Sequence, residues 1–277
     1  MPLRAEDGIV PEWPAPPGVR ALFTTRSGGV SAPPFDSFNL GDHVRDAPDR
    51  VAANRARLGE RIAARPVFLQ QVHGTTVEVL DAGTPDGTVA DACLSTRSGV
   101  ACTIMVADCL PVLFTNSAGT VVAAAHAGWR GLAGVDAKPT GQGVLETTVA
   151  AFVRAVQQMD PSADRGRVTA DLLVWLGPCI GPEAFEVGPE VRAAFVQSDP
   201  AAQHAFVLHP AGGGKYLANL SALARLRLQA MGITRIHGND GTPAWCTVTQ
   251  SLRFFSHRRD AVRLGSTGRM AACIWRG

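Results

Sequence analysis

Gly99 to Ala107 (GVACTIMVA), Val112 to Thr115 (VLFT) and Thr120 to Ala125 (TVVAAA) follow one another closely in the chain. Each is an apolar run too short for a buried helix, and Asn116 to Gly119 supplies a turn between the last two. These runs predict core strands. On their N-terminal side, Val19 to Thr25 has the β-branched and aromatic content of a strand and enters the glycine-rich turn Arg26-Ser-Gly-Gly-Val-Ser31. Val51, Ala52, Leu58 and Ile62 recur at helical spacing between Pro48 and Ala64, with Asp46 or Asp49 as caps and Pro66 as the stop. Val67 to His73 and Thr75 to Leu80 then read as two strands parted at Gly74. On the C-terminal side, Gly143 to Met159 places Val144, Leu145, Thr148, Phe152 and Val156 on one helix face, and Leu172 to Leu176 is a further buried strand. Helices are expected at Glu190 to Gln197 and Leu217 to Met231. Strand and helix alternate with no linker or repeat, which predicts one α/β (α+β) domain spanning residues 1–277.

The composition fits a protein with a sizeable core: 46% of the 277 residues are hydrophobic and 18% charged. Lys plus Arg number 26 against 24 Asp plus Glu, a net charge of +2 that marks no nucleic-acid-binding stripe. The six cysteines include no CxxC pair and are expected as reduced thiols in a cytoplasm. No secretory signal or membrane-length apolar segment is visible, so a soluble cytoplasmic protein without a membrane partner is expected.

His73, Cys109 and His126 each fall where a predicted strand gives way to a loop. Strand ends hold side chains rigidly while loops leave room for substrate. Two imidazoles and a thiolate suit Zn²⁺ and leave a fourth tetrahedral position open. The separations, 109 − 73 = 36 and 126 − 109 = 17, are not those of a local zinc motif. On spacing alone two other readings stay open: a core thiol with hydrogen-bonded histidines, or Cys109 as a nucleophile with a histidine base.

The words around these residues carry more. Gln71-Val-His-Gly74, Ala107-Asp-Cys-Leu-Pro-Val112 and His126-Ala-Gly-Trp-Arg-Gly131 resemble signature blocks of the YfiH-like, laccase-domain family of purine nucleoside phosphorylases, once labelled polyphenol oxidases. So do Phe23 to Ser31, Phe38-Asn-Leu-Gly41, Gly177-Pro-Cys-Ile-Gly181, Phe254 to Asp260 and Thr267-Gly-Arg-Met-Ala271. The resemblance runs in order over a core of about residues 19–275. It implies a single domain of packed mixed β-sheets flanked by helices, with zinc held by His73, Cys109 and His126. It also implies phosphorolysis of adenosine, inosine, guanosine and methylthioadenosine, together with adenosine deamination. An alternative drawn from bacterial relatives is a zinc-dependent amidase or editing factor acting on peptidoglycan precursors. The older copper label fits poorly, because the chain has seven histidines and no His-x-His pair, whereas a multicopper site needs about ten in such pairs.

Asp108 precedes a ligand and is a candidate catalytic acid/base, or else a turn carboxylate. Arg26, and Arg258 or Arg259, are candidates for phosphate, Asn39 for a ribose or base, and Trp129 and Phe254 for stacking on a purine. Cys179 reads as a packed thiol at a turn. Val135 to Gly141 resembles a polar insertion beside the His126 loop. The sequence leaves the oligomeric state open.

Overall fold

Side chains alternate along the central strands between two buried layers, which is why the apolar runs show no polar interruption. The computed structural model describes residues 8–135 and 142–277. The insertion expected at residues 135–141 therefore lies outside the described residues, Val135 excepted. One sheet has the order β1 (Gly8–Ile9), β2 (Val19–Thr24), β14 (Met270–Arg276), β6 (Val100–Val106), β3 (Arg65–Phe68). The second runs β13 (Arg235–Gly238), β9 (Leu172–Leu176), β7 (Leu110–Asn116), β8 (Val122–Ala127), β5 (Ala92–Ser95), β4 (Val77–Val79). Both are mixed: β3 with β6, β4 with β5 and β13 with β9 pair parallel, while the other pairs in these two sheets are antiparallel. A small antiparallel sheet joins β10 (Glu186–Val187), β12 (Tyr216–Ala218) and β11 (Phe206–Leu208).

Val100, Cys102, Ile104 and Val106 of β6 pack with Leu113, Val122, Ala124 and Trp175 of the second sheet, forming the layer between the two. Ala101 and Met105 point the other way, into the layer where Leu58 and Ile62 of α1 (Pro48–Ile62) cover the first sheet. On the outer face of the second sheet, Ala123, Ala125 and Ala127 of β8 meet Leu145, Val149 and Phe152 of α3 (Val144–Met159). The remaining helices are α2 (Trp129–Ala133), α4 (Arg165–Asp171), α5 (Pro189–Val196), α6 (Leu220–Ala230) and α7 (His257–Leu264). This is an α/β fold with helices outside two stacked sheets. Among the described residues no helix is long and apolar enough to cross a membrane, and all six cysteines are free thiols.

Four local expectations are corrected. α1 is capped by Ala47 rather than by Asp46 or Asp49: Pro48 at its first position has no N–H to satisfy, and Asp46 instead accepts from Ala47 N–H, Ser31 and Asn39. α6 starts at Leu220 with Asn219 as its cap, because Tyr216–Ala218 is taken up as β12. Strand β3 stops at Phe68, well short of His73, and β8 continues through His126 to Ala127. At the end of the chain, a segment for which the sequence offered no element, Met270–Arg276 forms a central strand between β2 and β6.

Candidate metal centre

The segment after β3 leaves the sheet because side chains replace its strand partners. The Gln71 amide donates to Met105 O and accepts from Met105 N–H, both at 2.8 Å, pinning the loop to the end of β6. The next three amides converge on one carboxylate: Asp91 accepts from Val72 N–H at 3.1 Å, His73 N–H at 2.8 Å and Gly74 N–H at 2.7 Å. His73 sits at φ 61°, in the left-handed region, with its ring exposed toward the centre. Two glycines of the His126-Ala-Gly-Trp-Arg-Gly131 block make room for this loop. A Cβ on Gly128 would lie 2.7 Å from His73 Cδ2 and 3.1 Å from Cys109 Sγ, and one on Gly131 would lie 2.7 Å from Gly74 O.

Cys109 rides on the tight turn from β6 to β7, where Asp108 adopts φ 88°. The Asp108 carboxylate accepts from Thr247 Oγ1 at 2.5 Å, Ser256 Oγ at 3.1 Å and Arg258 N–H at 2.6 Å, tying this turn to the segment that enters α7. His126, buried in β8, donates from Nδ1 to Asp91 Oδ1 at 2.8 Å, which leaves Nε2 for the centre. The candidate ligand atoms of His73, Cys109 and His126 all lie within 4.8 Å of one another. His73 Nε2 is 3.7 Å from Cys109 Sγ, and the two imidazoles stand edge to face with centroids 4.7 Å apart.

Burial alone would raise the Cys109 pKa, but the facing His126 and His73 outweigh it and bring the thiol to about 6. Burial likewise opposes a charged His126, yet the Cys109 thiolate and the Asp91 carboxylate raise its pKa to about 9. Asp91 remains ionised below the ordinary carboxylate pKa, since the His126 imidazole and the loop amides overcome its desolvation. The result is a preformed anionic sulfur between two imidazoles, a donor set and a spacing that fit a divalent, borderline-soft cation.

The centre opens into a cavity of about 670 Å³. Its walls include Arg55, Arg258 and Arg269 as cations and Phe68, Trp129 and Phe185 as aromatic surfaces. Of the expected substrate residues, Arg258 reaches this wall, stacked near Phe185 and donating to the carbonyls of Ala184 and Glu186. Arg26 does not line the cavity; its guanidinium binds Asp36 O, Ser251 O and the Asp36 carboxylate and lies over Phe255. Asn39 is fully buried and does not line the cavity either, accepting from Gly41 N–H and Arg269 N–H and donating to Gly41 O and Asp46. Arg259 clamps Asp260 and the carbonyls of Thr247, Val248 and Phe254. Trp129 lies on the wall, whereas Phe254 packs edge-on against Phe23 in the core. Cys179 is a buried thiol accepting from Asn239.

Sequence reasoning missed Asp91, Arg55 and Arg269. Asp91 carries a signal in hindsight, as a lone carboxylate between alanines at the head of a fully buried strand. Arg55 reads as an ordinary surface position on α1, yet it ion-pairs with Asp42 at 3.1 Å and lies 4.1 Å over the Phe68 ring. Arg269 stands in a quoted block, but its direction depends on Gly41, where a Cβ would come within 2.7 Å of Arg269 Cγ.

Residues 20–277 match the family model described as multi-copper polyphenol oxidoreductase laccase. A purine nucleoside phosphorylase of Pseudomonas aeruginosa is 50% identical over 268 residues, covering 96% of this chain and 97% of that protein. The purine nucleoside phosphorylase YfiH of Escherichia coli is 49% identical over 269 residues, covering 96% and 98%. Among solved structures, a Neisseria meningitidis protein of the DUF152 family superposes with a TM-score of 0.81 at 43% identity, covering 98% of this chain and 99% of its own. With the blocks that build the centre lying inside the matched span, the chain belongs to the YfiH-like, laccase-domain family.

Proposed function

We propose that the protein is a zinc-dependent purine nucleoside phosphorylase of the cytoplasm, acting on adenosine, inosine, guanosine and methylthioadenosine, with adenosine deaminase activity at the same site. The observation that carries this reading is one cavity in which the His73, Cys109, His126 donor set faces three arginines and three aromatic walls. Phosphorolysis needs phosphate held against the anomeric carbon, charge stabilised as the sugar–base bond breaks, and a surface for the purine. Arg55, Arg258 and Arg269 suit the anion, and Phe68, Trp129 and Phe185 suit the base. When bound, zinc supplies Lewis acidity toward phosphate or water.

In this reading Asn39 acts on substrate through Arg269, whose N–H it holds at 2.8 Å, and Arg26 acts by fixing its own glycine-rich loop. Asp108 acts through the three donors it accepts, which fix the turn carrying Cys109; proton exchange there would require releasing one of them. Copper oxidation is not proposed, given seven histidines without a His-x-His pair.

Purified, metal-analysed protein is expected to convert inosine to hypoxanthine and ribose 1-phosphate only when phosphate is present. Equal hypoxanthine formation without phosphate would make the enzyme a hydrolase. If no nucleoside reacts in zinc-loaded protein, the amidase reading takes first place.

A second expectation concerns loading. Without metal, His126 with a pKa near 9 is protonated at pH 7 while Cys109, near 6, is already thiolate. The cation must therefore displace the His126 proton. Apparent zinc affinity should rise about tenfold per pH unit between roughly pH 6 and 9, and level off above. Competition with a chelator of known pH behaviour measures this slope, and a flat profile across that window rejects the assignment of the proton to His126.

A further inference from the structure

We infer that Asp91 is the positioning residue of the metal centre, a single carboxylate that orients two of the three ligands, His73 through its loop amides and His126 through Nδ1. The inference rests on the zinc reading above. Asp91 is fully buried, and its two oxygens accept four donors: Oδ1 takes His73 N–H and His126 Nδ1–H, and Oδ2 takes Val72 N–H and Gly74 N–H. Its main chain adds a fifth tie, with His126 N–H donating to Asp91 O at 2.7 Å. Asp91 N–H and Ala92 N–H both donate to Thr76 O, so the residue is held just after the loop and before β5.

The chemistry of each contact gives it a purpose. A neutral imidazole carries one proton, and a carboxylate against Nδ1 keeps that proton there, so Nε2 presents its lone pair to a metal. The three loop amides have no strand partner once the chain has left β3, and a left-handed histidine does not hold itself in place. One acceptor-only group satisfies all three and thereby sets where the His73 ring stands. No neutral side chain of this size offers the same: an asparagine has one acceptor oxygen, and its NH₂ would face either loop amides or His126 Nδ1. With the oxygen kept on Val72 and Gly74, the NH₂ would meet His73 N–H and drive His126 to the tautomer protonated at Nε2.

The test compares the full-length wild-type protein with Asp91→Asn, using zinc alone as the probe. Chelator competition is expected to show zinc affinity lower by about 10–100-fold in the variant. On zinc-loaded wild-type protein, long-range ¹H–¹⁵N spectra of the histidines should show His126 ligating through Nε2 with a slowly exchanging Nδ1 proton. That measurement needs no variant to fold. Wild-type protein that binds no zinc defeats the zinc reading itself. Zinc-binding wild-type protein with equal affinity in Asp91→Asn, or with His126 ligating through Nδ1, overturns the role of Asp91.

Discussion

Cys109→Ala is expected to lower bound zinc from about one ion per chain to about none, by elemental analysis after dialysis against a mild chelator. The thiolate is the only anion among the three candidate ligands, and together with Asp91 it holds His126 charged in the metal-free state. Removing it leaves two neutral imidazoles without the charge or the third donor that an open tetrahedral site requires. The fold should survive. The turn around Cys109 is closed by the three donors to the Asp108 carboxylate and by Ile180 N–H to Asp108 O at 2.8 Å, none of which involves the sulfur. A cooperative unfolding transition should be retained, with some loss of stability because the attraction between the thiolate and His126 is removed. Phosphorolysis should fall with the metal. Unchanged zinc content in the variant would remove Cys109 from the centre and with it the assignment of the three ligands.

The candidate ligand cluster was legible because each of its residues sits in a short word whose neighbours have local structural reasons. Gly128 and Gly131 are needed for clearance beside His73, and Gln71 substitutes for a missing strand partner, so the pattern around each ligand reports the geometry of the next. The central strands were legible for a simpler reason, since burial on both faces leaves an unbroken apolar run. The path of residues 69–74 was not. Val67 to His73 has strand composition, and what bends it away is a carboxylate 17 to 19 residues further along. Local pattern holds no record of such a partner. The same holds for β14, whose central position depends on pairing with β2, nearly the whole chain away.

Arginines show the limit most clearly. Arg26 in a glycine-rich turn resembles an anion ligand, yet its donors reach Asp36, ten residues on, and Ser251 O, the latter a contact made only when the turn meets the 251–255 segment. Glycine there serves chain packing: a Cβ on Gly29 would lie 2.1 Å from Ser37 O. A long flexible cation has no periodicity to betray its direction, and only the surrounding acceptors decide whether it serves the fold or the cavity.

Arg269→Met is therefore expected to be the most damaging arginine substitution in the cavity. Its backbone is held from both sides, N–H to Asn39 Oδ1 at 2.8 Å and O from Leu40 N–H at 3.1 Å, and Nη1 donates to the carbonyls of Thr267 and Gly268. Burial works against its charge, while Cys109 and Asp108 favour it, so the cation belongs to the same electrostatic unit as the centre. Methionine keeps much of the stem's volume over Gly41 and removes the charge. If Arg269 stabilises negative charge that builds as the glycosidic bond breaks, kcat should fall by about 10²–10³ at saturating phosphate. If it only holds ground-state phosphate, the phosphate KM should rise with kcat unchanged. Arg269→Lys should recover little in the first case, because a point charge does not reproduce the guanidinium fork. Arg26→Met supplies the contrast: a lower melting temperature with kcat/KM per folded enzyme preserved, since its guanidinium does not line the cavity. Full retention of kcat/KM for phosphate in Arg269→Met would place the anion elsewhere on the wall, with Arg55 and Arg258 as the remaining cationic holders.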